Sequence, residues 1–269
     1  MTLQAEVGEK RTNMKVAVAG ATGRVGQHVV DVLNAQGHKV VPISRSLGVD
    51  VITRKGLVKA LTGVECVIDV ASGPSPEQKP ATEFFTTAAR NLHETGRKTG
   101  VRRMVVVSII GIDRFTAGYN AAKLSHERAM LSGPIPVRIL RAAQFHEFVA
   151  QLVEWGRQGK VSYVPKMRTQ LIAARTVAEA LVDLATESDP RVFSGSSKKP
   201  IPEIAGPREE NLVEMARLLV ARRGDPVRIE GVTDTADPDH ALYETGALLP
   251  GPNATLAGPT FAEWLDSTS

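Results

Sequence analysis

Five short runs, KVAVA (15–19), KVVPIS (39–44), VECVIDVA (64–71), RRMVVVSII (102–110) and PVRILRA (136–142), are rich in Val and Ile with little polar alternation. Strands of that kind are covered on both faces, since a strand with one wet side would alternate. Helical patterns at 24–36, about 53–62, 81–98 and 120–132 separate them. Repeated strand–helix alternation packs as a parallel sheet with right-handed crossovers and helices on both faces. The expected class is therefore α/β, a doubly wound parallel sheet.

Beyond about residue 144 the rhythm loosens. QFHEFVAQLVEWGRQ reads as a helix, KVSYVPKM as a short strand or loop, and TQLIAARTVAEALVDLATE as a strand and a helix. Thr176, with Glu179 three residues later, predicts a capping box at the start of that helix. NLVEMARLLVARRG is amphipathic, with Leu212, Met215 and Leu219 on one face and Gly224 as its stop. The expected organisation is a loose tail at 1–13 and one domain at 14–269. Within it, 144–269 supplies a small substrate region rather than an independent fold.

Bulk composition removes several function classes. The 269 residues carry a net charge of +4, from 33 basic and 29 acidic side chains. Basic pairs such as Arg102-Arg103, Lys198-Lys199 and Arg222-Arg223 are scattered, so nucleic-acid binding is not expected. Cys66 is the single cysteine, which excludes an intrachain disulfide and suits a reducing cytoplasm. It lies in a strand pattern and is expected to pack. No apolar run approaches the roughly 18 residues of a membrane span, so no membrane role is expected. The first 13 residues lack the apolar core of a secretory signal.

The first strand runs into AGATGRVG and then into a helical pattern. Gly20, Gly23 and Gly26 stand three apart. At a first strand-to-helix turn of a parallel sheet, free backbone N–H groups and the helix dipole favour a pyrophosphate. Gly20 allows the turn, Gly23 lets backbone approach phosphate, and Gly26 permits close helix–strand packing. Thr22, Arg24 and Val25 complete the loop. The spacing is G-x-x-G-x-x-G rather than the G-x-G-x-x-G fingerprint, but it sits in the strand–turn–helix context that gives such glycines meaning. After the second strand come Ser44, Arg45 and Ser46, where an NAD site would carry an acid for the ribose 2′-hydroxyl. Arg45 could instead clasp a 2′-phosphate, with Arg24 as a second candidate. NADP(H) is therefore expected over NAD(H). Asp50 and Val51 are placed to meet the adenine edge, and Ala71 and Ser72 to line the passage at the nicotinamide-side ribose.

Tyr119 and Lys123 lie four apart on a predicted helix and so share a face. A phenol with a pKa near 10 is a poor proton donor or base partner at neutral pH unless a nearby cation stabilises its phenolate. Lys123 can supply it while bonding the nicotinamide ribose. Ser108, eleven residues before Tyr119, can polarise a substrate oxygen. His93, His126 and His146 show no metal-ligand spacing and are expected to be structural or solvent-exposed. The loop Gln144-Phe145-His146 should face the nicotinamide end, and Pro-rich GPSPEQKP (73–80) should lie over the cleft. Asp69 and Asp113 stand at strand ends on the ligand-binding edge.

These blocks resemble the short-chain dehydrogenase/reductase superfamily, in particular its atypical NmrA-like or NAD(P)H-binding branch. The resemblance spans about 14–265 and rests on AGATGRVG, SRS, VIDVAS, VVVSIIGID, YNAAKLSHERAM and ILRAAQFHEF. QLIAARTVAEAL, EIAGPREENL and LLPGPNATLAGPTFAEWL carry it further. It implies a Rossmann sheet of six or more strands and a small C-terminal substrate region. By the same resemblance, Gly20, Gly23 and Gly26 form the pyrophosphate loop. Tyr119 is then the acid/base, Lys123 its ribose-binding and pKa-lowering partner, and Ser108 the oxyanion-side donor. The expected activity is NADP(H)-dependent reduction of a small carbonyl, quinone or similar apolar substrate. The alternatives are an NADP-sensing regulator that acts through a protein partner, and epimerase or dehydratase chemistry on a nucleotide sugar.

Overall fold

A computed structural model of the chain describes residues 13–188 and 200–268. The N-terminal tail up to residue 12 and the pair Lys198-Lys199 lie outside the described residues. The first half unfolds as the periodicity requires: β1 (Lys15–Ala19), α1 (Arg24–Ala35), β2 (Lys39–Ile43), α2 (Leu57–Leu61), β3 (Cys66–Asp69), α3 (Gln78–Thr99), β4 (Arg103–Ile109), α4 (Gly118–Leu131) and β5 (Val137–Ala142). The second half adds α5 (His146–Trp155), β6 (Arg157–Gln158), β7 (Val161–Pro165), β8 (Arg168–Thr169), α6 (Ala174–Thr186), β9 (Glu203–Ala205) and β10 (Glu210–Asn211). It closes with α7 (Leu212–Arg222), β11 (Arg228–Val232), α8 (His240–Glu244), β12 (Thr255–Leu256) and α9 (Phe261–Thr268).

Among the described residues the central sheet has seven strands in the order β12-β9-β5-β4-β3-β1-β2. Every neighbouring pair in it is parallel. Alternate residues serve opposite layers. Val16, Val18, Cys66 and Ile68 pack with Val29 and Leu33 of α1 and Val177 and Leu181 of α6. Ala17, Ala19, Val67 and Val106 pack with Ala88 and Leu92 of α3 and Met130 of α4. Two covered faces explain the absence of polar alternation. Cys66 is fully buried in the first layer. Strand order reverses at β1, between β2 and β3, and a ligand crevice forms at the C-terminal ends of strands where such a reversal occurs.

The second half divides. Strands β9 and β12 return to extend the main sheet, while β6, β7 and β11 form a small separate sheet. Against that sheet α5, α7 and α9 build a second core from Val149, Val153, Val164, Leu212, Leu219 and Phe261. Gly224, at φ +63, follows the end of α7 as the sequence predicts, and Asn211 caps its start, which the sequence reading did not name, by accepting from the N–H groups of Val213 and Glu214. The start of α6 differs from expectation. Its first residue is Ala174, whose N–H donates to the Glu147 carboxylate of α5 at 3.3 and 3.2 Å. Thr176 is already inside the helix, so there is no capping box, and Glu179 pairs with Arg175 instead. A carboxylate from a distant helix has taken the cap. No described helix is long and apolar enough to cross a membrane.

Candidate active site

Gly20 opens the loop with φ +83, and a Cβ there would stand 2.7 Å from the Ala71 backbone. At Gly26 a Cβ would fall 2.0 Å from the Gly20 carbonyl oxygen. Both contacts are with backbone, so any side chain would drive α1 away from β1 and β3. Gly23 is the N-cap of α1, and no side chain caps that helix. Its first-turn amides therefore have no side-chain acceptor from a cap, the condition under which a helix start can receive an anion.

The crevice is a cleft of about 320 Å³. Gly20, Thr22 and Gly23 form its floor, Ser44, Arg45 and Ser46 its rim after β2, and Ala71 and Ser72 its wall after β3. Val49, Asp50, Val51 and Phe84 close the sides. Eight expected cofactor residues thus meet in one place: Gly20, Thr22, Gly23, Arg45, Asp50, Val51, Ala71 and Ser72. The other three loop residues lie elsewhere. Val25 and Gly26 are buried behind it, and Arg24 donates from its Nη2 to Gln151 of α5 at 3.0 Å. The Asp50 carboxylate accepts from the Ile52 N–H at 2.7 Å. Burial pushes its pKa up, but that bond, Thr53 and the charge of Arg45 bring it below the usual carboxylate range.

The reactive end is packed. Phe84 lines the cleft, and its neighbour Phe85 makes an edge contact with the Tyr119 ring at 5.8 Å. Ser108, Tyr119 and Lys123 do not line the cleft. Ser108 is 2% exposed, and its Oγ has no hydrogen-bond partner among the described residues. Tyr119 is half-buried; burial pushes its phenol up to about 12, and no hydrogen bond reaches the hydroxyl among the described residues. The expected lowering of that pKa by Lys123 is absent. Lys123 instead donates to the Val107 carbonyl at 2.9 Å and meets His126 Nδ1 at 3.0 Å. Burial lowers its pKa to about 8, against the pull of Asp69 and Glu127.

His126 is 1% exposed, and its Nε2 lies 3.2 Å from Asp69 Oδ2. Asp69 Oδ1 accepts from the N–H of Ala71 in the cleft wall at 3.0 Å. Sequence reading placed Asp69 on this edge but gave it no partner, and left His126 as structural or exposed. The spacing of Lys123 and His126 on one helix turn was the available signal. Asp113, the other strand-end acid, goes to a different cluster. With Glu127 it clamps Arg141 of β5, whose Nε and Nη2 meet Glu127 at 2.9 and 2.8 Å.

The N-terminus of α4, which carries Tyr119, is fixed from two sides. Gln78, at the end of the Pro-rich loop, accepts from the Gly118 N–H at 3.1 Å. Asp239 of the second half accepts from the N–H groups of Thr116 and Ala117 at 2.6 and 2.8 Å. Gln144 and Phe145 are part-buried, the former accepting from the Thr169 hydroxyl. His146 is fully buried: Nε2 lies 3.1 Å from the Pro259 carbonyl, and the ring packs on Phe261 and Trp264. His93 is likewise buried, its Nε2 2.9 Å from the Met130 carbonyl.

Comparison with known proteins bears on the fold that holds this cleft. Residues 16–112, from β1 through β4, match the model of the NAD dependent epimerase/dehydratase family. A human sterol-4-alpha-carboxylate 3-dehydrogenase, decarboxylating, is 26% identical over 190 residues, 56% of this chain and 51% of that protein. The chain thus spans about half the length of this relative. A GDP-6-OMe-4-keto-L-xylo-heptose reductase from C. jejuni superposes with a TM-score of 0.69 at 14% identity, covering 97% of this chain and 100% of that one. A dTDP-4-dehydrorhamnose reductase from Bacillus anthracis, in complex with NADP, gives 0.64 at 16% identity over 95% and 98%. MoeE5 in complex with UDP-glucose and NAD gives 0.63 at 18% identity over 94% and 99%. At these identities the structures establish a shared fold.

Proposed function

We infer, from a chain with the short-chain dehydrogenase/reductase fold, that it is an NADP(H)-dependent oxidoreductase reducing a small carbonyl, quinone or similar apolar substrate. The observation that carries the reading is the cleft at the sheet's reversal point, where the glycine floor meets the Ser44-Arg45-Ser46 rim, which has no carboxylate directly after β2. The residues fit a dinucleotide: a Cβ at Gly20 would strike the Ala71 backbone, α1 offers uncapped amides, and Ser108 holds a buried hydroxyl without an acceptor or donor. Gly20, Thr22 and Gly23 would hold the pyrophosphate, Arg45 with Ser44 and Ser46 the 2′-phosphate, and Asp50 and Val51 the adenine. Ala71, Ser72 and Lys123 would hold the nicotinamide-side ribose. The cofactor, when bound, supplies the hydride.

The protein's part is the proton and the carbonyl polarisation. Burial holds the Tyr119 phenol at about 12, so it is protonated at neutral pH but a weaker acid than a free phenol; to give its proton to a substrate oxygen it would need a cation beside it in the complex. Ser108 would donate its unpaired O–H to the same oxygen. The region 144–269 would form the substrate side, reaching the reactive helix through Asp239. The small C-terminal region favours a small substrate over a bulky nucleotide sugar.

One observation favours a second reading, an NADP-sensing regulator that acts through a protein partner. Lys123 bonds Val107 and His126 rather than the phenol, so no side chain activates Tyr119. Titration with NADPH and NADH, followed by nicotinamide fluorescence, separates the cases. Tight NADPH, weak NADH and consumption of NADPH with quinones or aldehydes support the enzyme. Tight binding with no turnover across such a panel supports the sensor. Binding of neither nucleotide overturns both.

A further inference from the structure

Asp69, His126 and Lys123 are a three-membered polar chain with exposures of 1%, 1% and 4%. It runs from β3 through two positions of α4 and lies directly behind the cleft wall. Phe85 of α3 holds the imidazole flat, with centroids 4.7 Å apart and planes at 18°, and the Lys123 Nζ stands 4.6 Å from the same ring's centroid. Buried polar groups in such numbers need a complete pattern of donors and acceptors.

With Lys123 as the ammonium, one pattern satisfies all three. An ammonium has three donors and no acceptor, so the His126 Nδ1 that it meets at 3.0 Å must be bare. The imidazole proton then sits on Nε2 and points to Asp69 Oδ2 at 3.2 Å. Asp69 then accepts on both oxygens, and although burial pushes its pKa up, His126, the Ala71 N–H and the charge of Lys123 hold it below the usual carboxylate range. The chain therefore carries one positive charge, one negative charge and a neutral ring between them. Lys123 spends two donors, on Val107 and on His126, and keeps one.

We propose that the buried Asp69–His126 pair is the positioning device for Lys123: Asp69 holds the ring proton on Nε2, so that the bare Nδ1 fixes the direction of the ammonium and the carboxylate preserves its charge beside the cleft. The proposal rests on the reading that the cleft binds a nicotinamide cofactor, with Lys123 on its ribose. Every group facing Lys123 takes part in the balance. Asp69 comes from β3, the Val107 carbonyl from β4 and the Phe85 face from α3. Its own helix adds Tyr119, His126 and Glu127, and Glu127 is held by Arg141 of β5. Burial lowers the pKa of Lys123 to about 8 while Asp69 and Glu127 raise it, and burial with Lys123 lowers that of His126. Loss of the Asp69 charge would therefore leave Lys123 substantially neutral at pH 7.

The test uses the full chain, labelled with 15N-histidine and 15N-lysine, with Lys123→Met to assign the lysine signal. The expected wild-type result is a neutral His126 with its proton on Nε2 at pH 7. In Asp69→Asn the amide still accepts from Ala71 but presents a donor to Nε2. The ring proton should move to Nδ1, and the Lys123 titration midpoint should fall by at least one pH unit, about tenfold in proton affinity. NADPH binding, measured relative to wild type, should weaken progressively from pH 6 to pH 8. His126→Phe, which keeps the stack and removes both nitrogens, should weaken NADPH binding about tenfold at every pH, because direction rather than charge is lost.

A wild-type His126 that is an imidazolium at pH 7, or carries its proton on Nδ1, overturns the proposal. So does an Asp69→Asn protein that melts earlier but keeps the Lys123 titration and the pH dependence of binding, the signature of a structural role. If Asp69→Asn fails to fold, the wild-type tautomer and His126→Phe decide. Absence of nucleotide binding with the expected NMR behaviour would overturn the cofactor reading and leave the hold on Lys123 supported.

Discussion

The two ends of the proposed site are built on opposite principles. At the rim after β2, Ser44, Arg45 and Ser46 stand in or near water, with the two serine hydroxyls 2.6 Å apart. At the reactive end, Ser108, Lys123, His126 and Asp69 are all buried, and most of their hydrogen bonds are made within the protein. An exposed rim discriminates by what its charges attract from solvent, so each residue acts nearly alone. A buried end works as a set, since an unpaired polar group there costs far more than the same group in water. Substitutions at the rim should therefore change affinity with little effect on folding. At the buried end they should change chemistry, proton uptake and stability together.

The largest expected departure is Tyr119→Phe. Removing the proton donor should lower turnover at least about 100-fold while leaving NADPH affinity within about twofold. Steady-state kinetics beside a binding titration check this, and retained turnover would end the proposed role of the phenol. Gly26→Ala comes next. A methyl 2.0 Å from a backbone oxygen has no flexible neighbour to displace, so chemical denaturation should show a loss of about 3 kcal/mol. Gly37→Ala is its control, with φ +78 but open space around it, and should cost roughly 1 kcal/mol from backbone strain alone.

Proton linkage probes the buried side in another way. Burial lowers the pKa of His146 from 6.5 to about 4, with the Pro259 carbonyl only partly opposing it. The unfolded chain therefore takes up that proton first, and stability falls as pH drops from about 6.5 toward about 4, by roughly 3 kcal/mol in total. His146→Phe should flatten this part of the stability–pH curve. An unchanged slope would assign the acid sensitivity to other buried groups.

At the rim the effects are smaller and selective. Arg45→Ser should weaken NADPH about tenfold, the value of one charge-assisted hydrogen bond, and leave NADH unchanged. Arg24→Ala removes an exposed bond to Gln151 and should alter stability by less than about 1 kcal/mol and NADPH affinity hardly at all. The reverse ranking of the two arginines would move the phosphate clasp from the β2 rim to the glycine loop.

The sequence by itself determined the layered sheet, because Val- and Ile-rich runs without alternation have one stable use, between two sheets of helices. It determined the tight turn as well, since Gly26 meets the Gly20 carbonyl within the β1–α1 turn, although the contact that forbids a side chain at Gly20 comes from Ala71 after β3. The rim was legible for the same reason: Ser44, Arg45 and Ser46 follow directly from the end of one strand. Tertiary structure alone decided the rest. Glu147 displaced the expected Thr176 cap because α5 and α6 come together in space. Asp69 found His126, 57 residues away, because the fold brings the His126 turn of α4 within reach of the end of β3. Burial raised Tyr119 rather than letting Lys123 lower it. Periodicity and turn chemistry are local properties that a chain carries in order, whereas the protonation and direction of a buried side chain depend on what other elements bring to it.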